Sequence, residues 1–355
     1  MSDHINKMNR REFIGGTVAA TLAMATETAL ASVGAEQQSK KKTVKVHPYN
    51  PRTHKAMPTR NLGKTGYQVG IFSLGGQATV ETKGKEKESV AIISRAIDLG
   101  VNYIDTAAGY GDGVSEINIG QVLKDRRNEV FQTSKTADRT YDGSMRLLEK
   151  SLKQLQTDHL DLWQLHNLRR QDELDQIFSK DGALKALLKA REDGMVRFLG
   201  VTGHYEPLIL KQALDRFDFD TILMAVNAAD THYLSFKRYL LPIAQKKGTG
   251  VIGMKLATRG RMLSTWAPPP LDQQPERLRT PKPGTITMKE SLYYNCTLPV
   301  STNIVGVDTI EQLEENVKWA SEFSPLSSEQ MEEIEYKTLP IVRQGLYFRR
   351  WDLGV

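Results

Sequence analysis

VNYIDTAAGYGDGVSEINIG, residues 101–120, is the stretch around which the rest of the chain is organised. Val101–Ile104 reads as a short buried strand ending in an acid, Asp105. A glycine-rich loop follows and carries one tyrosine, Tyr110, and a helix is expected to start near Ser115. A carboxylate at a strand end and a phenol five residues on can share one small cavity. Two later strand ends supply what that pair lacks: QTSK (132–135) closes on Lys135 and LWQLH (162–166) closes on His166. Acid, phenol, amine and imidazole, each at or just beyond the carboxyl end of a strand, form a proton-handling set.

Outward from this stretch, eight strand-like runs mostly alternate with amphipathic helices: Ile71–Leu74, Tyr103–Asp105, Val130–Thr133, Leu160–Leu165, Phe198–Thr202, Thr221–Ala225, Gly250–Met254 and Asn303–Val305. Between them, Ser144–Leu155, Ala183–Asp193 and Ile310–Ala320 carry apolar residues at helical spacing. Short apolar strands interleaved with helices argue a parallel sheet covered on its faces, and eight of them argue an α/β fold closed as a (β/α)8 TIM barrel. Such barrels place their active sites at the carboxyl ends of the strands, where Asp105, Lys135 and His166 fall. A doubly wound sheet would want GxGxxG after its first strand, and SLGGQAT (73–79) is not that. Gly63 and Gly66 around Lys64-Thr65 signal an N-terminal hairpin over residues 58–69, expected to cap the barrel bottom. Residues 256–285 hold six prolines and cannot be a long helix, so a long loop is expected on the catalytic rim after the seventh barrel strand. Ser327-Ser328-Glu329-Gln330 opens a last helix. The aromatic and basic tail beyond it either borders the substrate pocket or packs on the barrel wall.

The chain has 355 residues, 25% charged and 39% hydrophobic, and can bury a large core. Its net charge of +6 is concentrated in residues 36–55, where six lysines and arginines face one glutamate. The body is near neutral and shows no basic face, so a nucleic-acid partner is not expected. The single cysteine, Cys296, excludes a disulfide within the chain and reads as a buried apolar residue. No close-spaced HxH or HxxxH pair suggests a metal site, which argues against a metal-dependent hydrolase.

Asn9-Arg10-Arg11-Glu12-Phe13-Ile14 resembles the twin-arginine (Tat) export signal, and the apolar run 14–26 is too short to span a bilayer. Ala29-Leu30-Ala31 fits a cleavage site, with a cut after Ala35 as the second choice. The expected organisation is therefore a signal peptide over 1–31, a linker over 32–57, and a barrel with its C-terminal tail over 58–355. The expected location is the periplasm, reached through the Tat translocon without a stable membrane anchor. The cytoplasm is the alternative.

DTAAGYG (105–111), QTSK and LDLWQLH (160–166), in this order, resemble the aldo-keto reductase superfamily, as do GMVRFLGVTG (194–203) and VGVDTIEQLEENV (305–317). The resemblance covers roughly residues 58–324. It implies Tyr110 as proton donor, Lys135 and Asp105 as the pair that tunes it, and His166 as the group that orients a carbonyl. It also implies a nicotinamide dinucleotide bound without a Rossmann fold. The cofactor contacts would come from Gly76, Thr202, Asn227, Lys255, Gln312, Glu315 and Asn316. Met254 stands where many relatives have an aromatic, and Gly203 where many have asparagine. NADP(H) is the family expectation, but Gly306, Asp308 and Gln312 occupy the usual 2′-phosphate positions, which keeps NAD(H) open. An ammonium beside a phenol favours the phenolate, so Lys135 is expected to lower the Tyr110 pKa. The expected function is reduction of an aldehyde or ketone substrate by NAD(P)H. The alternative is a cofactor-sensing regulatory subunit with little turnover.

Overall fold

The structure is a computed structural model and describes residues 46–274 and 280–351. Eight parallel strands close into a barrel in the order β10-β3-β4-β5-β6-β7-β8-β9. They are β3 (Phe72–Gly75), β4 (Tyr103–Asp105), β5 (Phe131–Thr136), β6 (Leu160–Leu165), β7 (Val196–Gly203), β8 (Thr221–Ala225), β9 (Gly250–Met254) and β10 (Thr302–Val305). Pairing of Asn303, Ile304 and Val305 with Phe72, Ser73 and Leu74 completes the circle. Helices cover the outside, among them Glu86–Asp98, Tyr141–Gln154, Ala183–Glu192 and Ile310–Ser321. Local chemistry sets their starts: the Thr140 hydroxyl accepts from the Gly143 amide, and Thr309 does the same for Gln312.

The hairpin is β1 (Thr59–Asn61) antiparallel to β2 (Gln68–Gly70). Its turn lies against the amino end of β9. Gly63 has φ +54°, and a Cβ there would lie 2.2 Å from the Gly250 nitrogen, so only glycine fits. Leu62, Tyr67 and Val69 plug the barrel interior beside Tyr103, Phe131, Leu162, Leu223, Ile252 and Met254. Tyr67 and Phe131 meet tilted at 4.7 Å, and Phe131 stacks on Tyr103 at 5.6 Å and Phe198 at 6.0 Å. Burying a phenylalanine-sized side chain contributes about 2–3 kcal/mol, so this plug is a major part of the stability. Asp161 is fully buried at the amino end of β6, where it pairs with Arg127 at 2.8 Å and Arg197 at 3.0 Å and accepts the Gln132 amide at 2.9 Å.

Residues 46–57 differ from the linker expected for 32–57. The Asn50 amide donates to the carbonyls of Ile97 (2.8 Å) and Val101 (3.3 Å), and Thr53 Oγ1 donates to the carbonyl of Gly100 (2.8 Å). These bonds satisfy carbonyls at and just beyond the end of helix Glu86–Asp98, so a polar stretch packs because its side chains complete another element. Met57 is buried and Thr53–Ala56 forms a helical turn. The expected signal peptide, and the linker before residue 46, lie outside the described residues.

Candidate active site

The catalytic face is assembled from the strand ends expected to carry it. Asp105 ends β4, and its Oδ2 lies 2.6 Å from Lys135 Nζ on β5. Nζ also donates to the Thr106 carbonyl at 2.7 Å, and Asp105 Oδ1 accepts from Thr133 Oγ1 at 3.0 Å. The Tyr110 oxygen sits 3.5 Å from Nζ, and the ammonium lies 4.9 Å from the ring centre. The His166 ring meets Tyr110 edge-on with centroids 5.8 Å apart.

Tyr110 opens a tight turn, Tyr110–Gly113, in which Gly111 and Asp112 take positive φ, before helix Val114–Arg126. Gly111 has φ +56°, and a Cβ there would lie 2.1 Å from the Glu81 carbonyl oxygen, so glycine lets the tyrosine loop lie against residues 78–81. The Gly76 amide donates to the Asp105 carbonyl at 2.6 Å, and Ser115 Oγ donates to the Gly76 carbonyl at 2.6 Å. These bonds fix the ends of β3 and β4 to the helix that follows the tyrosine.

Burial works against the Lys135 charge, but Asp105 and the Tyr110 oxygen outweigh it and hold the ammonium above the usual lysine value. Tyr110 departs from expectation. Burial raises its pKa, and Lys135, which pulls it down, does not cancel that effect, so the net shift is upward. The side chain is a neutral phenol that holds its proton. Burial, with Lys135 and Arg139 nearby, pushes His166 well below its ordinary value, so the imidazole is neutral near pH 7.

From Tyr110 and Asp105 a cavity of about 650 Å³ runs past Gly75, Gly76 and Met254 to the first turn of helix Ile310–Ser321. Lys255 and Arg259 line its middle, and Asp308, Gln312, Glu315 and Asn316 line its far end. Lys255 Nζ donates to Gln77 Oε1 at 3.1 Å, and burial, with Arg259 nearby, lowers its pKa to about 8. Two cations, Lys255 and Arg259 (the latter 3.7 Å from Glu81), with the phenol on one side and two amides beside two carboxylates on the other, border a cavity whose volume fits a dinucleotide. Lys255, Thr258 and Arg259 all have positive φ, strain of the kind concentrated at ligand clamps. The loop after β9 forms this wall through Leu256–Gly260, Leu263, Thr265 and Trp266, on the rim as expected.

Gly76, Lys255, Gln312, Glu315 and Asn316 thus border one cavity with the phenol. Thr202 and Asn227 do not line it. Thr202 Oγ1 accepts the Asn167 amide at 2.7 Å. Asn227 is committed inward: Nδ2 donates to the Lys255 carbonyl (3.0 Å), Thr258 Oγ1 (3.2 Å) and the Gly345 carbonyl (3.4 Å), while Oδ1 accepts the Ala229 amide (2.9 Å). It shapes the loop that carries Lys255. His232 is tied to helix Ser328–Thr338 through the Glu335 carbonyl at 2.9 Å. Among the described residues no three or more His, Cys, Asp or Glu are grouped to hold a metal.

Sequence reasoning did not single out Arg259 or the anchoring of the tail. Arg349 is buried, ion-paired with Asp230, and donates to the carbonyls of Ala225 (2.9 Å) and His204 (2.8 Å). Tyr233 donates to the Arg350 carbonyl at 2.5 Å and stacks on Trp351 at 4.1 Å. The tail therefore crosses the catalytic face, and Phe348 packs toward the barrel interior. The arginines and aromatics were visible as a cluster, but their partners lie more than a hundred residues away.

Comparison with known proteins agrees with this architecture. The chain is 28% identical over 309 residues to L-galactose dehydrogenase of Arabidopsis thaliana, covering 79% of this chain and 94% of that one. It is 25% identical over 334 residues to pyridoxal 4-dehydrogenase of Microbacterium luteolum, covering 76% and 95%. The fold matches that of an aldo-keto reductase from Klebsiella pneumoniae solved in complex with NADPH, with a TM-score of 0.63, 24% identity and coverage of 79% and 94%. Residues 68–338 match the model of the aldo/keto reductase family, and the chain belongs to that family.

Proposed function

We propose that the protein reduces an aldehyde or ketone to an alcohol, with Tyr110 giving the proton to the carbonyl oxygen. The bound nicotinamide dinucleotide supplies the hydride. The observation that carries this reading is a neutral phenol 3.5 Å from a buried ammonium, lining a cavity of about 650 Å³ that reaches the helix Ile310–Ser321. As negative charge develops on the carbonyl oxygen, Tyr110 and His166 are the donors that meet it. Lys135, steadied by Asp105, then stabilises the phenolate left behind. The two relatives are named as dehydrogenases, and the same groups run in reverse oxidise an alcohol. Loss of reduced-nicotinamide absorbance with a panel of aldehydes and ketones tests this. Tight cofactor binding with no turnover on any of them would favour the regulatory-subunit reading.

The family expectation for the cofactor is NADP(H), held by Gly76, Lys255, Gln312, Glu315 and Asn316. A specific observation favours NAD(H): the charged side chains lining the far end of the cavity are Asp308 and Glu315, and a 2′-phosphate there would meet carboxylates. Titration with each dinucleotide separates the two. For location, the reading is export by the twin-arginine route, removal of residues 1–31, and a periplasmic enzyme that folds around its cofactor before export. The motif around Arg10-Arg11 supports it. Cell fractionation with N-terminal sequencing tests it, and a full-length chain confined to the cytoplasm would refute it.

A further inference from the structure

We infer that Gln164 is a positioning residue for proton transfer: with Thr133 it holds one oxygen of Asp105, so that the other oxygen alone meets Lys135 and the carboxylate opposes Tyr110 less. The inference rests on the carbonyl-reductase reading and adds a residue to its machinery. Gln164 on β6 is the register partner of Lys135 on β5, and Thr133, two residues before Lys135, points to the same side of the sheet. Both side chains reach Asp105 Oδ1, Thr133 Oγ1 at 3.0 Å and Gln164 Nε2 at 3.4 Å, while Lys135 Nζ donates to Oδ2 at 2.6 Å. The amide has to present its nitrogen here, because its oxygen would face a carboxylate.

Packing gives Gln164 no other polar task. The residue is fully buried, and its register partner on β7 is Gly200. A Cβ on Gly200 would lie 2.9 Å from Gln164 Cγ, so glycine makes room for the stem of the side chain. Among the described residues, the only hydrogen bond of the Gln164 side chain is the one to Asp105, and Oε1 has no partner. Burying an unpaired amide oxygen costs stability, and an apolar side chain of the same length would avoid that cost. A buried polar atom of this kind calls for a reason beyond packing, and the contact with the catalytic carboxylate supplies one.

The titratable groups around Asp105 are Lys135, Tyr110, Tyr103 and Lys255. Lys135 makes Tyr110 a better acid, and the Asp105 charge makes it a worse one. Donors on Oδ1 spread that charge over an amide and a hydroxyl and so weaken its hold on the phenol. They also stop the carboxylate from turning, so Nζ keeps its place 3.5 Å from the Tyr110 oxygen.

The test follows benzaldehyde reduction with saturating NADPH or NADH in the wild-type protein and in Gln164→Met, Thr133→Val and Gln164→Glu. Gln164→Met should lower kcat about tenfold, keep KM and the cofactor dissociation constant within about twofold, and melt no earlier than the wild type. Thr133→Val, which removes the other donor, should shift kcat the same way and reads the same contact if Gln164→Met does not fold. Added to Asp105→Asn, Gln164→Met should change kcat less than about twofold, because the residue acts through the carboxylate. Gln164→Glu should add a limb to the pH profile that the wild type lacks. Turnover should approach the wild-type value at low pH, where the introduced carboxyl is protonated and donates, and fall as that group ionises beside Asp105. Full kcat in Gln164→Met, an equal loss in the Asp105→Asn background, a cofactor dissociation constant weakened enough to explain the loss, or a Gln164→Glu profile parallel to the wild type would each overturn the inference and leave the carbonyl-reductase reading intact. No turnover of any aldehyde or ketone by the wild-type protein would overturn both.

Discussion

Asp161 and Asp105 are buried carboxylates at opposite ends of the same barrel. Asp161, at the amino end, is held by two arginines and a backbone amide and does not line the cavity beside Tyr110. Asp105, at the carboxyl end, is held by one lysine, one hydroxyl and the Gln164 amide, and it borders the cavity beside Tyr110. The chemistry of pairing is the same, but the surplus differs. At the bottom every charge is used up in holding the strands. At the top the lysine has reach left over for a phenol. In a barrel of this kind the two ends divide stability from reactivity, and an ion pair takes its role from the end it occupies.

The largest expected effect breaks the top alone. Tyr110→Phe should lower kcat by roughly 10²–10⁴-fold, the usual contribution of a positioned general acid, with cofactor affinity and melting temperature unchanged. A variant that keeps its turnover, or that melts early, would erase the proposed division. The mirror experiment is Asp161→Asn, which strands Arg127 and Arg197. Breaking a buried pair of this kind costs about 3–5 kcal/mol, visible as a lower denaturant midpoint, while kcat/KM at 25 °C should stay within about twofold.

The middle of the cavity sharpens the comparison through pH. The Lys255 amine is charged below about 8 and neutral above it, against 10.5 in the unfolded chain. Its attraction for a phosphate is therefore present below about pH 8 and fades as the pH rises through that value. The folded state releases this proton first, so between about 8 and 10.5 the same group makes stability rise with pH. Dinucleotide affinity should fall by about tenfold from pH 7 to 9.5, and Lys255→Met should be weaker at pH 7 and flat with pH. A steep pH dependence in Lys255→Met would point to another group. The smallest effect lies at the far end: Asp308→Asn should improve NADP(H) binding by about fivefold, on the order of 1 kcal/mol, and leave NAD(H) nearly unchanged.

What the sequence revealed follows the range of the interactions involved. β4, β6, β8 and β9 have the bounds their apolar runs suggest, and the Asp105, Tyr110, Lys135 and His166 group meets on one face, because strand ends and short loops encode those positions locally. Residues 46–57 were misread because lysine and proline content describes solubility, whereas Asn50 and Thr53 are fixed by carbonyls some fifty residues away. Arg349 was beyond reach for the same reason, its partner Asp230 lying 119 residues off in the chain, and Asn227 in part, since it bonds Lys255 and Gly345, 28 and 118 residues away. The sign of the Tyr110 shift was missed because a neighbouring charge shows in a motif and the depth of burial does not.

The pairing of residues 303–305 with 72–74 has a consequence for how the protein is made. On a ribosome, β3 emerges more than two hundred residues before the strand that completes it. Through all that time both margins of the growing sheet present unsatisfied amides and carbonyls to whatever lies nearby. Contacts this distant in the chain form slowly, so the nascent polypeptide is exposed to sticking for most of its synthesis. Holding factors that shield sheet margins should therefore matter more to the yield of this protein than to that of a helical bundle of equal size.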